Sequence, residues 1–287
     1  MRVKLRVLAA VIAGAVMAAG AGGCSPAVVH LPGAGPGGYW TESRLLAALP
    51  WLAFGYPPGR PANAHPALVG PRVGALFEHD AGGDHFCTAS VVASPGRDLL
   101  ITAAHCISGG KGGGYRRDIV FIPGYRDGQA PSGVWAPARL IVAPQWASSS
   151  DPDFDVGFVV LNPLDGKNIE DVLGANQLGI DRGYNNLVRV TGYPDSASAP
   201  VTCSGWTSEH SPSQLRFDCG GFTGGTSGSP WVTDINLLTG TGTIVGVIGG
   251  YQEGGDTPAI SYSPYLGEQV ERLYRQAVAD EAAQAGA

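Results

Sequence analysis

The sequence predicts an all-β protein that ends in one long α-helix, and three observations support this fold class. Short runs rich in Val, Ile and Phe alternate with turn-forming clusters, as in a sandwich or barrel of short strands. Glycine and proline account for 44 and 22 of the 287 residues, as frequent tight turns require. Apolar residues recur at helical spacing from residue 266 to about residue 283.

Nine apolar runs are the candidate strands, and turn-forming residues bound each of them. In chain order they cover residues 73–79, 88–94, 99–105, 119–123, 138–143, 156–161, 187–193, 214–219 and 243–250. Residues 165–184, between the sixth and seventh runs, are polar and irregular. We therefore predict two strand-rich domains, residues 67–164 and 185–265, joined by this connection and followed by the helix and tail at residues 266–287.

The composition limits the class of protein. Hydrophobic residues make up 44% of the chain and charged residues 15%, with a formal net charge of −6. A chain of this length and composition can bury a sizeable core, which excludes a fully disordered protein. No run of Lys and Arg indicates a nucleic-acid surface, so we expect no nucleic-acid partner.

Residues 1–24 are typical of an export signal. Three basic residues precede an apolar run at residues 7–19, and its about 13 residues fall short of the roughly 20 that a membrane span needs. Cys24 follows this run after small residues, as in the lipidation site of bacterial lipoproteins, although a Leu is usual where Ala21 stands. We expect an exported protein, either a cell-surface lipoprotein that meets the membrane only through this anchor or a soluble secreted protein.

Residues 25–66 are rich in Pro, Gly and Ala and are predicted to be a tether or pro-segment. Large rings such as Trp40 usually cover an apolar surface, so we expect part of this segment to dock on the folded domains.

Three short segments carry the chemistry. The sequence LLITAAHC ends an apolar run in His105, DFDVGF opens another run after Asp155, and GTSGSP places Ser227 among glycines. A serine hydroxyl is a weak nucleophile that needs an imidazole as its base, and the imidazole needs a buried carboxylate to orient it. Asp153 is the alternative carboxylate, but the buried run begins directly after Asp155.

These segments resemble, in the order His, Asp, Ser, the signature segments of the chymotrypsin-like serine proteases, and GTSGSP is closest to secreted bacterial members. The resemblance spans roughly residues 68–275. It implies two antiparallel six-stranded β-barrels, with His105 and Asp155 on the first, Ser227 on the second and the site between them. It also implies a monomeric serine endopeptidase that cleaves proteins or peptides through an acyl-enzyme and needs no cofactor or metal.

The same resemblance assigns further residues. The backbone N–H groups of Gly225 and Ser227 would form the oxyanion hole. Five cysteines are an odd number, and with Cys24 set apart the other four would form two disulfides, which are Cys87 with Cys106 and Cys203 with Cys219. Zinc is the rival explanation for these cysteines, but C-x-x-C and paired histidine spacings are both lacking in the sequence.

The substrate preference is predicted from the segments around the nucleophile. Gly221 stands where an Asp would select Arg or Lys in this family, so cleavage after basic residues is not supported. Ile248 stands where a His serves glutamate-selecting relatives, and a buried glutamate would lack a partner. With Phe222 at the pocket and Gly249 and Gly250 on the edge strand for substrate, we expect a small or apolar preference.

Two other functions fit the same residues. A catalytically idle protein could keep the protease fold for binding a surface partner, and an esterase could use the same triad. The three triad residues together favour the endopeptidase.

Overall fold

The computed structural model describes residues 39–41, 44–45, 48–50, 64–67, 70–80 and 83–284. The predicted export signal and Cys24 lie outside these residues, so the expected lipid anchor stays a prediction. Within the described ranges, none of the helices has the length and apolar character needed to span a membrane.

Fifteen strands and three α-helices make up the described chain. The strands are β1 (Leu49–Pro50), β2 (His65–Pro66), β3 (Val73–Asp80), β4 (Gly83–Val92), β5 (Leu99–Thr102), β6 (Arg117–Pro123), β7 (Pro137–Val142), β8 (Gly157–Leu161), β9 (Gln177–Leu178), β10 (Leu187–Gly192), β11 (Val201–Ser211), β12 (Gln214–Asp218), β13 (Pro230–Thr233), β14 (Thr243–Val247) and β15 (Ile260–Pro264). The helices are α1 (Pro144–Ser149), α2 (Ile169–Leu173) and α3 (Glu268–Gln284).

The first sheet is a barrel of six antiparallel strands in the order β6-β3-β4-β5-β8-β7. Its two end strands meet because Phe121 of β6 and Trp135, just before β7, exchange backbone hydrogen bonds of 2.8 and 2.9 Å. Closing the ring leaves no open edge between these strands. Leu76, Leu100 and Val159 are fully buried in its core.

The second sheet forms a similar ring in the order β15-β12-β11-β10-β13-β14. The backbone N–H of Gly249, just after β14, donates to the carbonyl of Tyr262 in β15 at 3.0 Å and brings the end strands together. The short strand β9 lies parallel to β14, and β2 pairs with β11. The predicted all-β fold with two antiparallel six-stranded barrels is therefore confirmed.

A separate hydrophobic cluster joins the two barrels to the C-terminal helix. Ile101 and Phe158 of the first barrel and Val247 of the second pack in it with Val270 and Leu273 of α3. Burying each such side chain contributes about 1.5–3 kcal/mol. The predicted helix is confirmed, with its first turn two residues later than the apolar pattern suggested.

Two parts of the chain differ from the sequence prediction. Residues 165–184 are not irregular throughout, because they contain α2 and β9, and Ile169 of α2 is completely buried. The longest strand, β11, was not among the candidate runs. Its exposed positions are Ser, Trp, Glu and His, and only Cys203 and Thr207 are buried, so it has no apolar run.

Part of the N-terminal segment docks on the first barrel. Trp40 is fully buried against Phe77, with ring centroids 5.7 Å apart, and its indole N–H donates to the carbonyl of Asp118. The short strand β1 then pairs in parallel with β4 at His85 and Phe86. The described residues of this segment are thus part of the folded structure.

Candidate active site

His105 lies in a short 3-10 turn, Ala104–Cys106, that directly follows β5. The turn is fixed by a disulfide, since the Sγ atoms of Cys106 and Cys87 are 2.07 Å apart and Cys87 belongs to β4. The imidazole lies beside this disulfide, with the nearest ligand atoms of the three residues within 4.8 Å of one another. Both sulfur atoms are bonded to each other, so neither is a thiolate that could bind a metal.

Asp155 lies between a second 3-10 turn, Pro152–Phe154, and β8, and it is fully buried. Its carboxylate accepts three hydrogen bonds. His105 donates through its backbone N–H to Oδ1 at 2.9 Å and through Nδ1 to Oδ2 at 2.8 Å, and the Gly250 backbone N–H donates to Oδ2 at 2.8 Å. Donation from Nδ1 makes Nε2 the lone-pair nitrogen of a neutral imidazole, as a general base requires.

The charge of Asp155 determines the protonation behaviour of His105. Burial alone lowers the pKa of His105, but the Asp155 carboxylate, by its charge and its hydrogen bond, more than offsets this effect. Glu253 adds to the increase and Arg116 opposes it. The pKa of His105 is therefore raised above its ordinary value.

Asp153, the alternative carboxylate, has a different partner. Its Oδ1 accepts a hydrogen bond from the side-chain amide of Gln214 in β12 at 2.7 Å. The amide oxygen of Gln214 in turn accepts from the backbone N–H of Tyr251 at 3.1 Å. Gln214 therefore ties the turn before Asp155 to the second barrel, a contact that no sequence motif indicated.

Ser227 lies on the loop before β13 and is almost fully buried. Its carbonyl accepts a hydrogen bond from the backbone N–H of Thr88 in β4 at 2.8 Å. The next residue, Gly228, has φ +81°, and a Cβ there would lie 2.1 Å from the carbonyl oxygen of Thr88 and 3.1 Å from the nitrogen of Ala103. Only glycine fits this close approach, which seats the serine loop beside the turn that carries His105.

Gly225 has a backbone suited to an anion site. Its φ is +86°, its carbonyl accepts from the Thr88 hydroxyl at 3.0 Å, and a Cβ would lie 2.2 Å from the Phe86 ring. Within the described part of the chain, the N–H groups of Gly225 and Ser227 donate to no protein acceptor. Two amides left available on one tight loop can bind a developing oxyanion.

The residues predicted to meet substrate lie on two segments of the second barrel. Phe222 and Ile248 are buried in its hydrophobic cluster, where Phe222 packs on Phe217 with ring centroids 6.2 Å apart. Gly221, with φ +98°, precedes Phe222. Gly249 lies against Asp155, because a Cβ there would be 3.0 Å from its carbonyl oxygen, and Gly250 donates to the Asp155 carboxylate. The contact of both glycines with Asp155 was not foreseen.

The second predicted cysteine pair is also at bonding distance. The Sγ atoms of Cys203 and Cys219 are 1.98 Å apart and link β11 to the residue after β12. Both predicted pairings are thus present.

Comparison with solved structures identifies similar folds. Protease Anisep from Arthrobacter nicotinovorans is 27% identical with a TM-score of 0.68, over 75% of this chain and 99% of that one. The thermostable serine protease AL20 from an extremophilic microorganism is 29% identical with a TM-score of 0.66, over 73% and 98%. A Glu endopeptidase, 17% identical with a TM-score of 0.62 over 76% and 98%, shares the fold. No protein-family profile and no curated protein sequence matches the chain.

Proposed function

We propose that this chain, which has the fold of the chymotrypsin-like serine proteases, is a serine endopeptidase with His105, Asp155 and Ser227 as its catalytic triad. One observation carries the proposal. A fully buried Asp155 binds both the backbone N–H and the Nδ1 of His105, on a turn against which the Ser227 loop is seated. The Cys87–Cys106 disulfide, the ends of the strands β5 and β8 and the glycines of the Ser227 loop all hold these three residues in place.

The chemistry follows from these roles. Nε2 of His105 accepts the hydroxyl proton as Oγ of Ser227 attacks the substrate carbonyl, and the Asp155 carboxylate stabilises the imidazolium that forms. The N–H groups of Gly225 and Ser227 bind the resulting oxyanion, a contribution of about 2.7–4 kcal/mol for each donor. His105 then gives the proton to the leaving amine, and water hydrolyses the acyl-enzyme by the same steps in reverse order.

The substrate preference is proposed to be small or apolar. Gly221 adds no charge to the predicted pocket, and the neighbouring Phe222 and Ile248 belong to an apolar cluster. A glutamate side chain buried among such groups would lack a hydrogen-bonding partner, which is unfavourable. The Gly249 and Gly250 segment would pair with an extended substrate.

The location is proposed to be outside the cytoplasm. Two disulfides are stable in an oxidising compartment and rare in the cytosol. This supports export of the chain by residues 1–24, with Cys24 as the proposed lipidation site.

The test compares Ser227→Ala with Ser208→Ala, which makes the same chemical change at an exposed position on β11. On a randomised peptide library, we expect Ser227→Ala to lose activity by a factor on the order of 10⁵ to 10⁶ and Ser208→Ala to retain it. Full proteolysis by Ser227→Ala would contradict the triad.

The same library separates the two alternatives. Turnover of esters without turnover of peptides would favour an esterase. If the wild-type protein cleaves neither substrate but binds a surface partner, the result would favour a catalytically inactive binding protein with the protease fold.

A further inference from the structure

A cavity of about 250 Å³ lies in the second barrel, where β2, β10, β11 and β13 meet the residues before β3. It is smaller than the pockets that take drug-sized ligands, which start near 300 Å³. Guanidinium, imidazole and hydroxyl groups dominate its polar lining, and no carboxylate of the described residues lines it. These groups come from Arg72, Arg189, His65, Thr191, Thr202 and Ser204.

Among the described residues, Arg72 and Arg189 lack a carboxylate partner, whereas six of the other ten arginines have one. Arg72 donates through one terminal nitrogen to the carbonyl of Thr239 at 2.9 Å, while its buried Nε has no partner among the described residues. The side chain of Arg189, whose backbone pairs with β11 and β13, forms neither a hydrogen bond nor an ion pair within the described ranges. By contrast, an Asp or Glu lies within 4.0 Å of each of Arg44, Arg97, Arg182, Arg216, Arg272 and Arg275.

The loop between β13 and β14 forms one wall of this cavity and also carries two exposed leucines. Ile235 and Gly240 line the cavity, whereas Leu237 and Leu238 are 88% and 97% exposed. The loop is held in shape by Asn236, whose side-chain oxygen accepts from the backbone N–H of Leu238 at 2.9 Å. Two adjacent leucines that are so largely exposed form an apolar surface that contact with a partner would bury.

We propose that this cavity and loop form a binding site for the phosphate group of an anionic lipid at a membrane surface. Guanidinium groups bind phosphate oxygens through paired, charge-assisted hydrogen bonds, and hydroxyl groups supply further donors. A free phosphate ion would need only the cavity. A lipid also accounts for Leu237 and Leu238, which would enter the boundary between headgroups and acyl chains.

The experiment measures how the full chain partitions onto vesicles of phosphatidylcholine alone and onto vesicles with about a third phosphatidylglycerol. The test variant combines Arg72→Gln with Arg189→Gln. The control combines Arg182→Gln with Arg216→Gln, which removes the same charge from arginines that are paired with carboxylates at the surface. All chains share the same N-terminal segment, so its contribution cancels when their partition ratios are compared.

We expect the wild type to prefer the anionic vesicles, and the test variant to lose about fivefold in partition for each arginine. The control should stay within about twofold of the wild type, and Leu237→Ser with Leu238→Ser should weaken binding to anionic vesicles by about tenfold. All variants should cleave a soluble peptide as the wild type does, which shows that they fold.

Two results would overturn this inference. Equal losses in the test and control variants would mean that the attraction is a general charge effect. The other result is that inorganic phosphate raises the melting temperature of the wild type while the protein shows no preference for anionic vesicles. It would mean that the cavity binds only a free anion.

Discussion

Two histidine and aspartate pairs in this protein have the same geometry and different surroundings. Nδ1 lies 2.8 Å from a carboxylate oxygen both in the pair of His105 with Asp155 and in the pair of His79 with Asp84. The first pair has side chains that are 6% and 0% exposed, and the second has side chains that are 34% and 16% exposed. The short distance therefore does not distinguish the proposed catalytic pair from a surface pair.

The two pairs differ in the hydrogen-bond partners of their carboxylates. Asp155 accepts backbone N–H groups from both barrels, which hold it in one orientation beside Nδ1 of His105. Asp84 accepts from the hydroxyl of Tyr39 at 2.6 Å and pairs with Arg44, so it anchors the N-terminal segment to the hairpin of β3 and β4. Burial and a neighbouring nucleophile, rather than the pair itself, indicate catalysis.

Within the comparison of the two pairs, the largest effect is expected from removing each carboxylate in turn. Asp155→Asn should lower kcat by about 10⁴-fold, because the amide favours the wrong imidazole tautomer. Asp84→Asn should change kcat by less than about twofold, since its partners lie away from the site. Steady-state hydrolysis of one peptide by both variants measures this contrast, and equal losses would remove the distinction between the pairs.

A smaller effect should follow from adding a methyl group to one glycine of the Ser227 loop and to one glycine next to the surface pair. Gly225→Ala places a Cβ 2.2 Å from the Phe86 ring at φ +86°, so it should move the oxyanion amides and lower kcat by about 10²-fold. Gly83→Ala, at φ +123° next to Asp84, meets no atom within 4 Å and should leave kcat unchanged. Unchanged kcat in Gly225→Ala would exclude this loop from the oxyanion site.

The pH profile tests the charge of the buried pair. Because Asp155 raises the pKa of His105, kcat/KM should fall about tenfold for each pH unit below a midpoint that lies above the ordinary histidine value of about 6.5. His79→Gln should leave this midpoint in place. A midpoint below the ordinary value would show that burial, and not Asp155, dominates the pKa of His105.

The smallest effect concerns stability at the surface pair. Burial raises the pKa of Asp84, but hydrogen bonds from Tyr39 and His79 and the charge of Arg44 outweigh it and lower this pKa. The stabilisation is therefore present above the unfolded-state pKa and is lost as the pH falls through the folded-state pKa. Denaturant unfolding at neutral pH should show a loss of at most about 1 kcal/mol in Asp84→Asn, and no loss in acid. A much larger loss would contradict the assignment of this pair as a weak surface interaction.

The sequence predicted those features that depend on local pattern. The apolar runs identified nine strands, and the spacing around His105, Asp155 and Ser227 identified segments that the fold brings together. It could not show that Gly250 donates to Asp155 or that Arg72 and Arg189 share a cavity, because these contacts join residues far apart in the chain. The polar strand β11 has no apolar pattern that would predict it. It is a strand because it pairs with β10 and β12.

Labelling with a fluorophosphonate, followed by peptide mapping, is the decisive test of the proposed triad, because such probes modify serine hydroxyl groups that a neighbouring base activates. We expect stoichiometric modification of Ser227 in the wild type, strong loss of labelling in His105→Ala, and normal labelling in His79→Gln. Modification of another serine, or equal labelling of Ser227 without His105, would contradict it.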